Sequence, residues 1–535
     1  YVQADGLQTI GYDHGDYNVA TNYVKGNNSY TVFAGANYSH VDGTETWNNE
    51  NYQFTQSLFD RESYSKNSYR NHQEYMQFRY QNQKGKRYWV GKFTLVNLST
   101  PRNASSGFAK ESTETDVFSN IRKKSLSPKI DLNANLPLSK NQTLTLGVHG
   151  KYSANSYHRL YQEQPFKTMT DEDEKALSFQ LSAIYNYFSQ KHSLSVELFH
   201  YHDVWNADYS GNCELWQHLW KGESLAFFSY NFQASRRLSL KTRIGLDWLQ
   251  YHLHGDNSFS QLSPRINTNV QYQLNKGMLL WSFNFVNSNH GMDVINRAMI
   301  QVNSHMMEKG MPELKKSHDI NTYLYYMGRF NRLSVSAIGQ FRYNHHPVTD
   351  DYYLDEANGK IVKTYSNGGN AQYYSAILAL QYKLCKFANL SGDIRYNHAE
   401  VKTTWSKHNN NLTGNLGLNM FMGDFALKPY LHFGKKSLDE AALVISKTPI
   451  DYGMSCSYSR GNLYVELQAA SPFKKQEKQY WLDLPIYSYS KSIKDQTASQ
   501  YASIKVAYSF DFGRKTQKVE KDVNKNINSS LLRVE

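Results

Sequence analysis

The chain has 535 residues, of which 14% are aromatic, and a formal net charge of +12 at pH 7. Its mean hydropathy is −0.67, and no run approaches the roughly eighteen apolar residues that a membrane helix needs, which excludes a helical membrane protein. The length exceeds that of an ordinary domain, so either several domains or one large closed sheet is expected.

Apolar and polar residues alternate in many short segments, which is the pattern of β-strands with one apolar and one polar face. Residues 331–344 show it clearly, since Leu333, Val335 and Ala337 share one face. In chain order, the predicted strands cover residues 1–10, 16–25, 29–40, 73–83, 86–98, 126–136, 142–152, 176–188, 192–202, 224–234, 237–252, 263–274, 278–287, 318–329, 331–344, 372–383, 386–397, 409–421, 424–434, 451–458, 461–470 and 500–512.

The connections between these strands alternate in length. Short turns alternate with long links, such as 41–72, 99–125, 153–175 and 203–223. Outer-membrane barrels have short periplasmic turns and long extracellular loops. We therefore predict an all-β fold: a single closed transmembrane antiparallel β-barrel of about 22 strands, each of roughly ten residues. The barrel is expected to cover residues 1–512, with both of its ends in the periplasm.

The two ends of the chain carry a family resemblance. The beginning resembles the entry to the barrel of TonB-dependent outer-membrane transporters, just after their plug domain: YVQADGLQTIGYDHGDYNVATNYV, then KGNNSYTVFAGANYSH. The end is similar to the closing strand and polar tail of the versions found in gut-type Gram-negative bacteria: ASIKVAYSFDFGRKTQK, then a tail to NSSLLRVE. The resemblance implies import of a scarce nutrient of the siderophore, oligosaccharide, peptide or cobalamin class.

The resemblance also implies partners and further segments. The family couples import to the TonB complex through a plug domain inside the barrel. That plug is absent from this chain, and we expect it to precede residue 1 in a longer precursor. Residues 513–535 are expected to form a polar periplasmic tail. A surface lipoprotein is a further candidate partner. The alternative function is a passive porin-like channel, or a structural or assembly scaffold of the outer membrane.

Other classes of function have little support in the sequence. No zinc-protease, nucleophile-elbow, P-loop or dinucleotide motif is found, so no enzyme is predicted. Lysine and arginine are scattered, which does not favour nucleic acid and suits lipopolysaccharide phosphates at a membrane rim. The three cysteines, Cys213, Cys385 and Cys456, have neither disulfide nor zinc spacing. No cofactor or metal is expected.

Three tryptophans in the link 203–223 are the candidate ligand-binding residues. Trp205, Trp216 and Trp220 lie close together in the sequence, and loop aromatics can stack on sugars or flat ligands. The alternative is that they form part of an aromatic girdle just above the lipid. The acidic run 171–174 is predicted to be a solvated turn rather than a calcium site.

Two His-x-His pairs are candidates for a metal site. His200 and His202, and likewise His252 and His254, stand at the extracellular end of a predicted strand, where this spacing puts both rings of a pair on one face. In the alternation of each strand, both pairs fall on the same face as the predicted lipid-facing residues Leu198 and Trp248. We therefore interpret them as rim histidines near lipopolysaccharide phosphates rather than as metal ligands.

Overall fold

The computed structural model describes residues 1–55, 57–256, 258–288, 291–494, 500–510, 523–527 and 529. Within these ranges lie thirty strands and one helix, with the following bounds: β1 Val2–Ile10, β2 Asp13–Lys25, β3 Asn28–Gln53, β4 Leu58–Lys84, β5 Arg87–Lys110, β6 Glu114–Ser139, β7 Gln142–Glu163, β8 Phe166–Phe188, β9 His192–Gly211, β10 Leu215–Gln233, β11 Leu238–Leu253, β12 Ser258–Leu274, β13 Gly277–Ser288, α1 Met292–Ile295, β14 Met299–Gln301, β15 Met306–Lys309, β16 Ser317–Phe330, β17 Leu333–His345, β18 Thr349–Asp355, β19 Lys360–Ser366, β20 Asn370–Cys385, β21 Ala388–Lys402, β22 Ser406–Met422, β23 Phe425–His432, β24 Lys435–Asp439, β25 Val444–Thr448, β26 Asp451–Arg460, β27 Leu463–Ala470, β28 Glu477–Asp483, β29 Tyr487–Lys494 and β30 Tyr501–Phe510.

Twenty-two of these strands form a closed antiparallel barrel, as predicted. The chain runs up and down through β1–β13, β16, β17, β20–β23, β26, β27 and β30. The last strand pairs with the first, from Val2 opposite Phe510 to Ile10 opposite Ala502. Because the last strand pairs with the first, the ring of 22 strands has no open end, which is the condition for a sheet to stand in hydrocarbon.

Side chains of the wall alternate between an outer and an inner face. On β11, Ile244, Leu246 and Trp248 are 49%, 51% and 47% exposed, whereas Asp247 between them is fully buried. The apolar rows point outward and the polar rows point into the lumen, the arrangement of a barrel that stands in a bilayer. No helix in the described part of the chain is long and apolar enough to cross a membrane.

The two ends of the barrel differ in their connections. At one end, here called the turn end, consecutive strands meet in tight turns, for example between β4 and β5. Gly85 in that turn has φ of 59°, a left-handed conformation that glycine adopts without steric strain. The opposite end, here called the mouth, carries the longer connections and the extensions of the wall.

Most of the wall at the mouth is built by long strands. Strands β3 to β10 contain between 19 and 27 residues. They run through the links 41–72, 99–125, 153–175 and 203–223, so the prediction of long loops there is wrong. The predicted acidic turn 171–174 is likewise part of β8. Above the apolar belt, neither face of a strand has to meet lipid, so the apolar alternation fades while the backbone ladder continues.

The wall at the mouth closes through different strands from the wall at the turn end. Four short strands, β24, β25, β28 and β29, stand above the belt, and β25 pairs with β28. Strand β29 pairs with the upper part of β3, where Tyr487 lies opposite Tyr52. The upper ladder therefore runs from β25 through β28 and β29 to β3, without β26, β27, β30, β1 and β2.

Candidate functional site: a folded plate in the barrel mouth

Two chain segments fold together inside the mouth. Residues 291–316 follow β13, and residues 346–369 follow β17; together we call them the plate. Their strands form a sheet in the order β14, β15, β19, β18, in which β15 and β19 are parallel, with Met306 opposite Ile361. The backbone amide of Met311 donates to the carbonyl of Val294 at 2.7 Å. This bond ties α1 to the chain that follows β15.

One side of the plate packs against the inner face of β8–β11. The plate contributes Ile295, Ala298, Ile300 and Leu314, all of which are at most 3% exposed. They meet inward-facing side chains of the wall, namely Ala176, Trp205, Ala207, Tyr209, Leu219 and Leu253. A cluster of this size, buried from both partners, holds the plate by the same apolar packing that stabilises a domain core.

The opposite side of the plate packs against other parts of the wall. Here Met306, Tyr352 and Ile361 of the plate are buried. Their partners come from the upper wall and from β20 and β21, namely Tyr52, Ala371, Val401, Leu443, Leu482, Leu484 and Tyr487. The plate therefore spans the lumen from one wall to another.

A buried ion network fixes the tip of the plate. The guanidinium of Arg61 donates from Nη2 to Glu163 Oε1 at 2.9 Å, with its side chain only 3% exposed. Ser304 at the tip joins the network, since its Oγ accepts from Arg61 Nη1 at 3.4 Å and donates to Glu163 Oε2 at 3.1 Å. Burial would lower the pKa of Arg61, but nearby Tyr161, Glu50 and Glu163 raise it above its ordinary value. The guanidinium therefore stays charged and its partners stay bound.

A second ion network fixes the end of the first plate segment. Lys316 Nζ lies 2.8 Å from Asp247 Oδ2, and neither side chain is accessible to solvent. Arg265 donates to the same oxygen at 2.6 Å and to Glu223 Oε1 at 3.0 Å. The charges in this cluster are thus matched by direct contacts, as buried charges require.

A carboxyl group lies buried beneath the plate. Glu172 of β8 is 2% exposed, and its Oε1 has no hydrogen-bond partner among the described residues. Burial, reinforced by the charge of Glu174, raises the pKa of Glu172 to about 8. The neighbouring Tyr209 accepts a hydrogen bond from Asn296 of the plate at 2.5 Å. Glu172 therefore lies directly opposite a wall residue that contacts the plate.

Part of the C-terminal segment lies on the inner wall as well. Most of the predicted tail 513–535 lies outside the described residues. Within 523–527, Val523 and Ile527 pack against the buried side chains of Phe33, Tyr75 and Val96. Lys129 Nζ donates to the backbone carbonyls of Asn524 and Asn526 at 2.7 and 2.5 Å. These five residues therefore contact the lumen side of the barrel.

The structure separates the three tryptophans predicted to bind ligand. Trp205 points inward and is 8% exposed beneath the plate. Trp216 points outward and is 48% exposed, stacked on His218. Trp220 also lies on the outer face, with its ring 5.4 Å from that of His202. They form no common site, and ligand contact remains a prediction for each of them.

The predicted rim histidines lie in β9 and at the upper end of β11, where His254 directly follows the last residue of the strand. His202 stacks on Phe179 at 4.9 Å, and the ring of His254 lies 4.9 Å from that of Trp216. His200 and His252 contact serine hydroxyls at 2.9 and 3.1 Å. In the ranges that the structure covers, no group of three or more His, Cys, Asp or Glu side chains is placed to hold a metal ion.

Sequence reasoning missed the residues that anchor the plate. Arg61 and Tyr161, in direct contact, are 100 positions apart, and Lys316 and Asp247 are 69 apart. A local pattern carries no signal for such pairs. The one available hint was the acidic run of β8. Glu172 and Glu174 are two residues apart, so on a strand both side chains face the lumen.

Comparison with known proteins shows which solved structures have a similar fold. No model of a protein family and no curated protein matches the sequence. Among solved structures, the copper transporter OprC matches with a TM-score of 0.68 at 10% identity, over 95% of this chain and 80% of that chain. The siderophore receptor PiuA from Acinetobacter baumannii matches with a TM-score of 0.60 at 9% identity, over 95% and 81%.

A third match is FpvA of P. aeruginosa bound to heterologous pyoverdines, with a TM-score of 0.63 at 10% identity, over 95% of this chain and 71% of that one. These proteins are TonB-dependent outer-membrane transporters and receptors. This chain has the barrel fold of that group, which confirms the predicted resemblance at the level of fold.

Proposed function

We propose that this chain is the barrel of an energy-coupled importer of the TonB-dependent class, located in the outer membrane of a Gram-negative bacterium. Its mouth would face the outside and its turn end the periplasm. The observation that carries the proposal is the plate: a barrel of this size has its own connections folded across the mouth and bound by buried ion networks. Barrels of 22 strands in this class have a filled lumen, whereas porins of 16 to 18 strands keep an open channel.

The cargo is proposed to be a scarce nutrient that is bound before it is transported. The matched structures are named as a copper transporter, a siderophore receptor and a receptor bound to an iron–pyoverdine complex. Those names favour a siderophore-type metal chelate over the oligosaccharide, peptide and cobalamin classes. Trp205 would meet such a ligand only after the plate moves, because the plate covers it.

The proposed partners follow from this role. The TonB complex would act through a plug domain that is not in this chain, and lipopolysaccharide would surround the outer belt. A surface lipoprotein above the mouth is compatible with the long upper wall. Each of these partners is a proposal drawn from the family resemblance.

Uptake by cells tests the proposal. A precursor that contains this chain would be expressed in a Gram-negative host, and uptake of radiolabelled ferric siderophores would be measured with and without TonB. We expect saturable uptake that disappears without TonB. Uptake that rises linearly with concentration and does not need TonB would overturn the importer in favour of the passive channel. A large steady conductance of the purified precursor in a planar bilayer would do the same.

A further inference from the structure

The outer wall has a seam between β22 and β24. The ladder between β22 and β23 extends only to Asn415 opposite His432. One more backbone hydrogen bond follows, from the amide of Phe433 to the carbonyl of Gly414 at 2.9 Å, and above it side chains replace the backbone ladder. Asn409 Nδ2 donates to the carbonyl of Lys436 at 2.9 Å, and Asn411 Oδ1 accepts from the amide of Lys436 at 2.8 Å. The two strands are therefore not joined by a continuous backbone ladder here, and the outer surface has a gap between them.

A groove runs from the seam across the outward faces of β21 and β22. In the ladder between these strands, Gly392 lies opposite Leu416, and Gly414 lies opposite Ile394. Each glycine leaves out one side chain from an apolar row. The resulting groove has a volume of about 1260 Å³, and its borders include Ile394 and Leu412, which are 61% and 68% exposed.

Three lysines surround the upper end of this groove. Lys435, Lys436 and Lys447 line it, and Lys436 lies directly opposite Lys447 in the ladder of β24 and β25. Like charges in directly opposed positions destabilise a sheet. None of the three forms an ion pair with a carboxylate of the described chain. A bound anion would remove this repulsion.

The rim beside the lysines is apolar as well as basic. Ile450 lines the groove, and its carbonyl accepts a hydrogen bond from Gln476 at 2.8 Å. Gln476 belongs to the connection between β27 and β28. That connection also carries Phe473, which is 87% exposed, followed by Lys474 and Lys475. Aromatic side chains next to lysines suit the boundary between acyl chains and charged head groups.

We propose that this groove binds lipid A, the phosphorylated acylated anchor of lipopolysaccharide. A phosphate would lie between Lys436 and Lys447, and an acyl chain would occupy the space over Gly392 and Gly414. The apolar groove directly below the lysines argues for an anion that carries acyl chains, rather than for free phosphate. The lysines lie on the mouth side of the belt, so lipid of the outer leaflet would reach them; this step rests on the proposed orientation.

Native mass spectrometry of the purified full chain tests the site. The probes would be lipid A, dephosphorylated lipid A, phosphatidylglycerol and inorganic phosphate. We expect retention of lipid A, with binding weakened at least about tenfold in the double variant K436Q/K447Q, since it loses two charged contacts. The matched control K140Q/K276Q removes two lysines from turns at the other end and should bind as the unmodified chain does.

A second variant tests the acyl contact. Gly392→Leu fills the groove. Its Cβ would meet the side chain of Leu416 at 2.9 Å, which can rotate, and the backbone carbonyl of Asn415 at 3.2 Å. We expect weakened lipid A binding while Lys436 and Lys447 remain in place. Equal binding of dephosphorylated lipid A or phosphatidylglycerol, or unchanged binding in K436Q/K447Q, would overturn the proposal.

The outcome for this site can be separated from that for the proposed function. Retained lipid A without TonB-dependent uptake would overturn the importer and leave the lipid site intact. TonB-dependent uptake without lipid A retention would overturn only the lipid site.

Discussion

The ion network at Lys316 predicts an asymmetry between two substitutions. Asp247 has two cationic partners, Lys316 at 2.8 Å and Arg265 at 2.6 Å. Lys316 forms no second ion pair with described residues, and its side chain is inaccessible to solvent. Removal of the carboxylate therefore leaves a buried ammonium without a counter-charge, whereas removal of the ammonium leaves the carboxylate paired with Arg265.

The magnitudes follow from this difference. Asp247→Asn is expected to lower the free energy that holds the plate against the wall by about 3–5 kcal/mol, because it removes one partner of a buried ion pair. Lys316→Met removes one charge-assisted hydrogen bond and is expected to cost roughly 1.5–3 kcal/mol. At 1.4 kcal/mol per factor of ten, the first variant would increase plate opening by about 140- to 3700-fold.

Hydrogen exchange provides the assay. Protection of the amides of residues 294–316 would be compared with that of β11 in the same sample, since only the plate should loosen. Arg460→Met is the matched control, because Arg460 and Asp424 form a pair at 3.9 Å that is 76% and 49% exposed and is expected to contribute little. A loss of protection in Lys316→Met that equals or exceeds that in Asp247→Asn would refute the reasoning, as would no loss in either.

Three further predictions concern the plate. Arg61→Met breaks the contacts with Glu163 and Ser304, so residues 303–305 should detach and the conductance of the barrel in a planar bilayer should rise; an unchanged conductance would contradict this anchor. Glu172 has its pKa raised from 4.5 to about 8, so the folded state holds the proton more tightly than the unfolded state, and plate protection should be highest below pH 4.5 and fall as the pH rises toward 8. Glu172→Gln should flatten that profile between pH 5 and 9, and a profile that keeps its slope would exclude Glu172 as the cause. Trp205→Ala removes a buried ring and should lower the free energy that holds the plate against the wall by about 3–5 kcal/mol. The same exchange experiment measures it, and Trp216→Phe on the outer face should leave the protection of the plate unchanged.

The barrel wall was predictable because lipid imposes a simple rule on each strand. The predicted strand 237–252 nearly coincides with β11, Leu238–Leu253, since its outward row is apolar from Leu238 to Trp248 except at Thr242. Above the belt the rule no longer applies. Strand β7 was predicted to end at residue 152 and continues to Glu163, because its ladder needs only backbone groups and no particular side chains.

The candidate site was less predictable because it depends on contacts between distant parts of the chain. The three tryptophans of the link 203–223 are close in sequence, yet a hairpin between β9 and β10 places Trp205 inside and Trp216 outside. Because this stretch was assigned to a loop, the alternation of strand faces was not applied to it. That alternation would have placed Trp205 on the opposite face from Trp216 and Trp220. Lys316 had no local feature that distinguished it from the adjacent Lys315.

The two-level closure of the wall would let the plate move without opening the barrel. Below the mouth, the ladder between β1 and β30 closes the ring, and its hydrogen bonds involve no residue of the plate. Above, the wall closes through β29 and β3 and through side-chain bonds at the seam. Loss of the anchor at Arg61 therefore acts on the upper level, where water replaces broken hydrogen bonds, and leaves intact the lower level, where hydrocarbon would not replace them. The importer that we propose needs this separation, because its cargo would pass while the membrane stays sealed.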